Sequence, residues 1–225
     1  MYSERPAALP GAVLWFRRAV GLQPAYRVLP DGCLDLIWID GELVVAGPDT
    51  RAYVHPAGDV REFAGIRFGP GLGPAVFGLP AIELLDRRVP LIDLWPAARV
   101  RRLTGMVSGA ADRGQLLTAI AGDSLAVREP DPVAREVAAE LTAGVSVASI
   151  ARDTGLSERQ LLRRCKRAFG YGPKTLMRIL RFGRALDAAR KGMPYATVAA
   201  EHGYADQAHL ARDVKALAGV PLGEI

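Results

Sequence analysis

The stretch GLSERQLLRRCKRAFG, Gly155 to Gly170, places Arg159, Arg163 and Arg167 at intervals of four. On an α-helix that spacing puts the three guanidiniums on one face, with Gln160 and Arg164 flanking them. Leu161, Cys165, Ala168 and Phe169 recur at intervals of three and four on another face. Ser157 can cap the start of such a helix by accepting from an orphan amide. Gly170 can end it, because glycine tolerates the left-handed turn that follows a last helical residue. One side of the helix can be buried and the other is a comb of cations. Such a comb suits phosphates and base edges, although a solvated surface helix would show the same pattern.

The charge distribution favours a polyanion as partner. Residues 1–130 hold 14 arginines, no lysine and 14 acids, so they sum to zero. Residues 131–225 hold 15 basic and 10 acidic residues and carry the whole net charge of +5. From Arg159 to Lys191 there are eleven basic residues against the single acid Asp187. A field concentrated in this way attracts nucleic acid first and an anionic membrane second.

Other chemistries find little support. Three histidines, His55, His202 and His209, are too few and too dispersed for a metal site, and no metal or cofactor is expected. His202 precedes a turn glycine and reads as a helix C-cap, where a cation suits the dipole. His209 divides between a surface residue and a nucleic-acid contact. Two cysteines, Cys33 and Cys165, cannot build a disulfide framework. No nucleophile elbow, phosphate loop or dinucleotide fingerprint occurs, so no catalytic residue is assigned and an enzyme is not expected. Asp31 and Asp49 fall in turns, where aspartate bonds its own backbone. Asp35, among apolar strand neighbours, is the candidate ligand-binding residue of the first part, with Trp38 beside it. Trp38, Tyr53, Phe63 and Phe68 read first as core. No run of eighteen apolar residues occurs and the N-terminus lacks the order of a secretory signal, so a cytoplasmic protein is expected.

The elements that would position these residues fall into two groups. Residues up to about 68 read mostly as strand: Tyr26 to Leu29, Cys33 to Ile39, Glu42 to Ala46 and Arg61 to Phe68. Asp40-Gly41 between two of these runs is a hairpin signal. Short helical segments are expected near Ala75 to Phe77 and Pro80 to Asp86, then helices near Ala97 to Val107 and Arg113 to Val127. The first part is thus α+β, a small curved sheet or open barrel with helices appended. Glu129-Pro130-Asp131-Pro132 reads as a boundary. Residues 1–129 form one expected domain and residues 130–225 an all-α second. Its helices are expected near Pro132 to Thr142, Val147 to Asp153, Glu158 to Phe169, Pro173 to Arg190, Tyr195 to Glu201 and Gln207 to Leu217.

The second part repeats itself. VASIARDTGLSERQLLRRCKRAFG matches ATVAAEHGYADQAHLARDVKALAG, with Ile150 on Val198, Gly155 on Gly203 and Leu156 on Tyr204. After one inserted residue Leu161 matches Leu210, Arg163 matches Arg212, Lys166 matches Lys215 and Gly170 matches Gly219. Each unit is a short helix, a tight turn opened by glycine, and a longer helix with polar residues near its start. This is the layout of a helix-turn-helix, whose second helix a major groove can admit. The eighteen residues from Pro173 to Arg190 would span roughly 27 Å as a helix. Successive major grooves on one face of DNA are roughly 34 Å apart, so the connector could set two reading helices into adjacent grooves.

These motifs, IARDTGLSERQLLRRCKRAFG and GYADQAHLARDVKALAGVPL above all, resemble the DNA-binding domain of the AraC/XylS family of bacterial transcription regulators. The first part, with PDGCLDLIW, VAGPDTRA and GIRFGPG, resembles the N-terminal domain of one branch of those regulators. The resemblance implies base contacts by Arg159, Leu162 and Arg163 of the first unit and by Gln207, Ala208, His209 and Arg212 of the second. Arg can pair bidentately with guanine and Gln with adenine; Leu162 could meet only a thymine methyl or a sugar. Arg164, Arg167, Lys174, Arg178 and Lys215 are expected on phosphates.

Three departures stand out. Cys165, Val214 and Leu217 occupy places where larger aromatics are usual. Ala208 and Ala211 weaken the second reading helix. Asp213 puts an acid beside its DNA-facing row. The first unit is therefore expected to dominate affinity.

The resulting expectation is a sequence-specific regulator of double-stranded DNA, modulated through its N-terminal domain by a small molecule or by self-association. RNA polymerase and a second copy of the chain are further candidate partners. The alternative is a small-molecule-binding or catalytic protein whose basic helices contact a partner or an anionic membrane.

Overall fold

The structure is a computed structural model that describes residues 2–18, 21–22, 24–58 and 62–225. Among these, six strands form an open antiparallel sheet in the order β1-β2-β7-β4-β5-β8. They are β1 Tyr2–Pro6, β2 Ala12–Arg18, β4 Leu34–Ile39, β5 Glu42–Ala46, β7 Glu62–Phe68 and β8 Arg88–Pro90. A two-stranded ribbon pairs β3 Tyr26–Val28 with β6 Tyr53–His55.

The β4–β5 hairpin turns where Asp40-Gly41 requires it, with φ of 46° and 92°. On β4, Leu34, Leu36 and Trp38 are buried on one face by strict alternation. They pack with Leu14, Ile66 and Phe68 under the helices α1 Gly73–Phe77, α2 Ala97–Ser108 and α3 Arg113–Leu125. Central β7 is buried on both faces at Phe63, Ala64, Gly65 and Ile66. Gly65 is required there, because a Cβ would lie 2.2 Å from the Trp15 indole that crosses it from β2. Strands β1, β2, β6 and β8 were not anticipated as separate elements, and the expected strand start at Arg61 lies outside the described residues.

The second half is helical: α4 Pro132–Thr142, α5 Val147–Asp153, α6 Glu158–Phe169, α7 Pro173–Arg190, α8 Tyr195–Glu201 and α9 Gln207–Ala218. Capping fixes the boundaries. Asp131 accepts from the amides of Val133 and Ala134, with Pro132 at the first position of α4. Ser146 and Asp206 accept from Ser149 N and His209 N. A second core gathers Leu161, Phe169, Leu176, Phe182, Ile150 and Leu210 around α7. The two cores fall on either side of residues 122–133.

The halves pack closely. A methyl built on Gly71 would sit 3.2 Å from the Phe169 ring, and one on Gly32 would sit 2.9 Å from Leu176 Cδ1. Gly170, at φ 84°, ends α6 against Pro48 and the carbonyl of Ala81. The amide of Ala52 donates to the carbonyl of Leu217 at 2.6 Å, so one loop of the sheet domain reaches the ends of both α6 and α9. That loop is held from behind: Asp49 accepts two bonds from Arg88 at 2.7 and 2.6 Å, and Thr50 bonds Asp86.

Candidate nucleic-acid interface

Two units, α4–α5–α6 and α7–α8–α9, each end in a helix with one buried and one exposed face. On α6 the buried residues are Leu161, Cys165, Ala168 and Phe169. Burial alone pushes the Cys165 thiol up to about 12, so it packs as an inert hydrophobe. Arg159, Leu162, Arg163, Lys166 and Arg167 are exposed. Ser157 and Gln160 close a reciprocal capping box, with Gln160 N donating to Ser157 Oγ and Ser157 N donating to Gln160 Oε1 at 2.9 Å. This box fixes the first turn, from which Arg159 projects, with Arg163 one turn further along the same face. Leu162 is 42% exposed and leans over the start of α7, since a Cβ on Gly172 would lie 2.7 Å from its Cδ1.

On α9 the buried residues are Leu210, Asp213, Val214, Leu217 and Ala218. Gln207, Ala208, Arg212 and Lys215 are exposed. His209 is half-buried and works on the turn. Its Nδ1 accepts from Ala205 N at 3.2 Å, its amide donates to Asp206, and its ring meets Tyr204 edge-on at 5.2 Å. It is the counterpart of Gln160 in the capping box of α6, and with Nδ1 committed to backbone the expected base contact would fall to Nε2. His202 is the C-cap of α8, as the sequence suggested.

Three further expectations change. Asp213 does not stand beside the exposed row. It is 6% exposed and turned inward, accepting from Arg178 Nε at 2.5 Å and Arg181 Nη2 at 3.3 Å. Arg178, expected on a phosphate, is thereby engaged with an internal carboxylate. Arg164, expected in the same role, makes two bonds of 2.7 and 2.6 Å to Asp131. That pair holds the Asp131 carboxyl below the usual carboxylate range. Lys174 remains exposed in the first turn of α7. Arg167 is exposed and lines a cleft of about 320 Å³ between α6 and the sheet domain, with Gly71, Gly78, Arg128 and Asp131. No signal within α6 or α9 alone could have revealed these ion pairs, because the partners lie 32 to 35 residues away in sequence.

In the sheet domain Asp35 and Trp38 separate. They occupy opposite faces of β4, so they cannot line one pocket. Trp38 faces the core, donates to Ser108 Oγ at 3.0 Å and carries the Arg113 guanidinium over its ring. Asp35 faces the other way, accepting from Trp15 Nε1 at 2.6 Å with Arg67 Nε at 3.5 Å. Burial outweighs the Arg67 guanidinium and pushes this carboxyl up to about 6. Sequence reasoning missed Trp15 and Arg67, which reach Asp35 only because β2, β7 and β4 are neighbours. No group of residues able to hold a metal occurs among the described residues, and none of their helices is long and apolar enough to cross a membrane.

Residues 136–225 match the family described as helix-turn-helix domain, and residues 12–90 match a domain of unknown function, DUF6597. No curated protein matches the chain in sequence. Among solved structures the fold is similar to that of ToxT from Vibrio cholerae O395, at 10% identity and a TM-score of 0.50 over 95% of this chain and 96% of that one. A second crystal form of Vibrio cholerae ToxT gives 10% and 0.50 over 99% and 97%. An apo variant from Vibrio cholerae strain SCE256 gives 11% and 0.51 over 97% and 98%.

Proposed function

We propose that this chain, whose C-terminal part is an AraC-type helix-turn-helix domain, is a sequence-specific DNA-binding transcription regulator of the cytoplasm. The observation that carries this reading is the repeated unit that leaves two polar helix faces uncovered, Arg159, Leu162 and Arg163 on α6 and Gln207, Ala208 and Arg212 on α9. Those residues are the proposed base contacts. Lys166, Arg167, Lys174 and Lys215 are the proposed phosphate contacts, positioning the protein without reading sequence. Residues 130–225 act as the DNA-binding domain and residues 1–129 as a domain that senses a small molecule or a second protomer.

Modulation is supported by the contacts of the sheet domain at both reading helices, Pro48 against Gly170 and Ala52 on Leu217. A ligand that favours one packing of the domains would favour one arrangement of α6 and α9. Direct contact with RNA polymerase would follow from DNA binding beside a promoter.

The test is selection of bound duplexes from a random-sequence pool, followed by titration at several salt concentrations. A defined sequence should emerge, with affinity falling steeply as salt rises. Binding indifferent to sequence, or none, overturns the reading.

A further inference from the structure

Each unit ties its reading helix to its own first helix through one carboxylate, and the two links have opposite polarity. The repeat that sets Arg163 on Arg212 sets Arg164 on Asp213. In the first unit Arg164 of α6 grips Asp131, the N-cap of α4, with two nitrogens. In the second unit Asp213 of α9 is gripped by Arg178 and Arg181 of α7. Arg181 also donates to the carbonyl of Gly203 at 3.2 Å and lies 4.2 Å from the centre of the Tyr204 ring, so the turn between α8 and α9 joins the same network.

We propose that Arg164 and Asp213 are positioning residues that set the roll of each reading helix and, through α7, the separation at which the two helices meet DNA. The proposal rests on the DNA-binding reading above. One residue along a helix is a rotation of about 100°, so a pin at the residue after Arg163 or Arg212 fixes the direction in which that arginine points. A guanidinium held by a carboxylate in two-bond geometry has its charge compensated and its plane fixed, which makes Arg164 a weaker phosphate ligand than its unpaired neighbours on the exposed face. Helix α7 touches both reading helices and is also the first helix of the second unit, so the Asp213 pair orients α9 relative to α6.

The sign of a simple substitution separates a pin from a DNA contact. Asp131→Asn and Asp213→Asn each remove a negative charge from a DNA-binding domain, which by net charge alone tightens binding. As pins, both changes should weaken it, by about tenfold. Binding of the full chain is to be measured by fluorescence anisotropy on the duplex selected by the wild type. It is also to be measured on the same duplex with one base pair inserted between the two contacted segments.

Asp213→Asn should erase most of the wild type's preference for the original spacing, and Asp213→Glu should restore it. Arg164→Ala should weaken binding without changing the salt slope, and adding Asp131→Asn to it should cost nothing further. All titrations are made at a temperature where circular dichroism shows each variant folded. A merely structural role would lower the melting temperature and leave the spacing preference intact, and that result overturns the proposal. So does an Asn variant that binds as tightly as wild type, or an Arg164→Ala slope reduced by about one, the mark of a lost phosphate contact. If the wild type selects no sequence at all, the regulator reading falls, and this proposal with it.

Discussion

The two helix-turn-helix units share a plan and differ in what surrounds them. The first is basic and enclosed. Its reading helix exposes Arg159, Arg163, Lys166 and Arg167, and its far end is buried against Pro48 and Ala81 of the sheet domain. The second is less charged and more open. Its reading helix exposes Gln207, Ala208, Arg212 and Lys215, and its terminal Gly219 has nothing within 4 Å of where a side chain would begin. The anchors invert the contrast, since Asp213 is 6% exposed whereas Asp131 and Arg164 have side chains 34% and 37% exposed. The first unit thus has more charge to offer DNA and is held partly by the other domain. The second is held by its own buried Asp213 carboxylate, with one backbone bond from Ala52 to Leu217 reaching it from the sheet domain. On the proposed reading, affinity and orientation are divided between them.

The largest effect expected from this contrast is on stability. Gly170 and Gly219 are equivalent C-caps with φ of 84° and 76°. Gly219→Ala should cost about 1–2 kcal/mol, the strain of a left-handed alanine. Gly170→Ala carries that strain and also drives a methyl to 2.8 Å from Pro48 Cγ, so it should cost about 2–5 kcal/mol. Urea unfolding of the two variants checks this; equal costs would mean that the end of α6 is not packed on the sheet domain. The next effect is on binding. Arg163→Ala should lose about 1–3 kcal/mol of affinity and relax base preference, and Arg212→Ala no more than about 1 kcal/mol. Anisotropy titrations at one salt concentration compare them, and a larger loss at Arg212 would reverse the assignment of affinity to the first unit.

What was legible in the sequence follows the range of the forces involved. Helices α4 to α8 begin and end where Asp131-Pro132, Ser157, Gly170 and Pro173 say they should, because a cap is a bargain among neighbours. A small curved sheet or open barrel with helices is the sequence expectation; the sheet is open and antiparallel, with the Asp40-Gly41 hairpin in place. Strand β1 was not expected, since its five residues are all exposed and show no alternation, and it becomes a strand only by pairing with β2. Asp213 looked outward because a helix pattern assigns polar residues to the solvent face. Arg178 and Arg181 turn it inward from another helix. Asp35 and Trp38 were grouped by proximity along the chain, which a strand of period two defeats.

Smaller effects sharpen the same comparison. Ser157→Ala and Asp206→Ala should each cost about 1 kcal/mol, since each removes the acceptor that caps a reading helix. His209→Gln should keep the melting temperature within a few degrees and affinity within about twofold, because Gln occupies the same capping position on α6. A loss of base preference in that variant would return His209 to the DNA-reading row.

The smallest expected effect is electrostatic, and it distinguishes the two anchors by their exposure. Arg164 depresses the Asp131 pKa, so the pair contributes stability that is full above the ordinary carboxylate value near 4 and is lost as pH falls through the lower folded value. Asn keeps the N-cap while removing the charge, which isolates the ion pair. The stability gap between wild type and Asp131→Asn should therefore be flat from about pH 7 to 5 and close below about pH 4. With both side chains about one-third exposed, solvent screening limits the gap to about 1 kcal/mol or less, and 1 M salt should shrink it further. The gap for Asp213→Asn, whose carboxylate is shielded from solvent, should respond far less to the same salt. Chemical unfolding at low and high salt reads both gaps. Equal salt sensitivity would mean that the second anchor is as wet as the first, and the division between a charged, screened unit and a buried, rigid one would not hold.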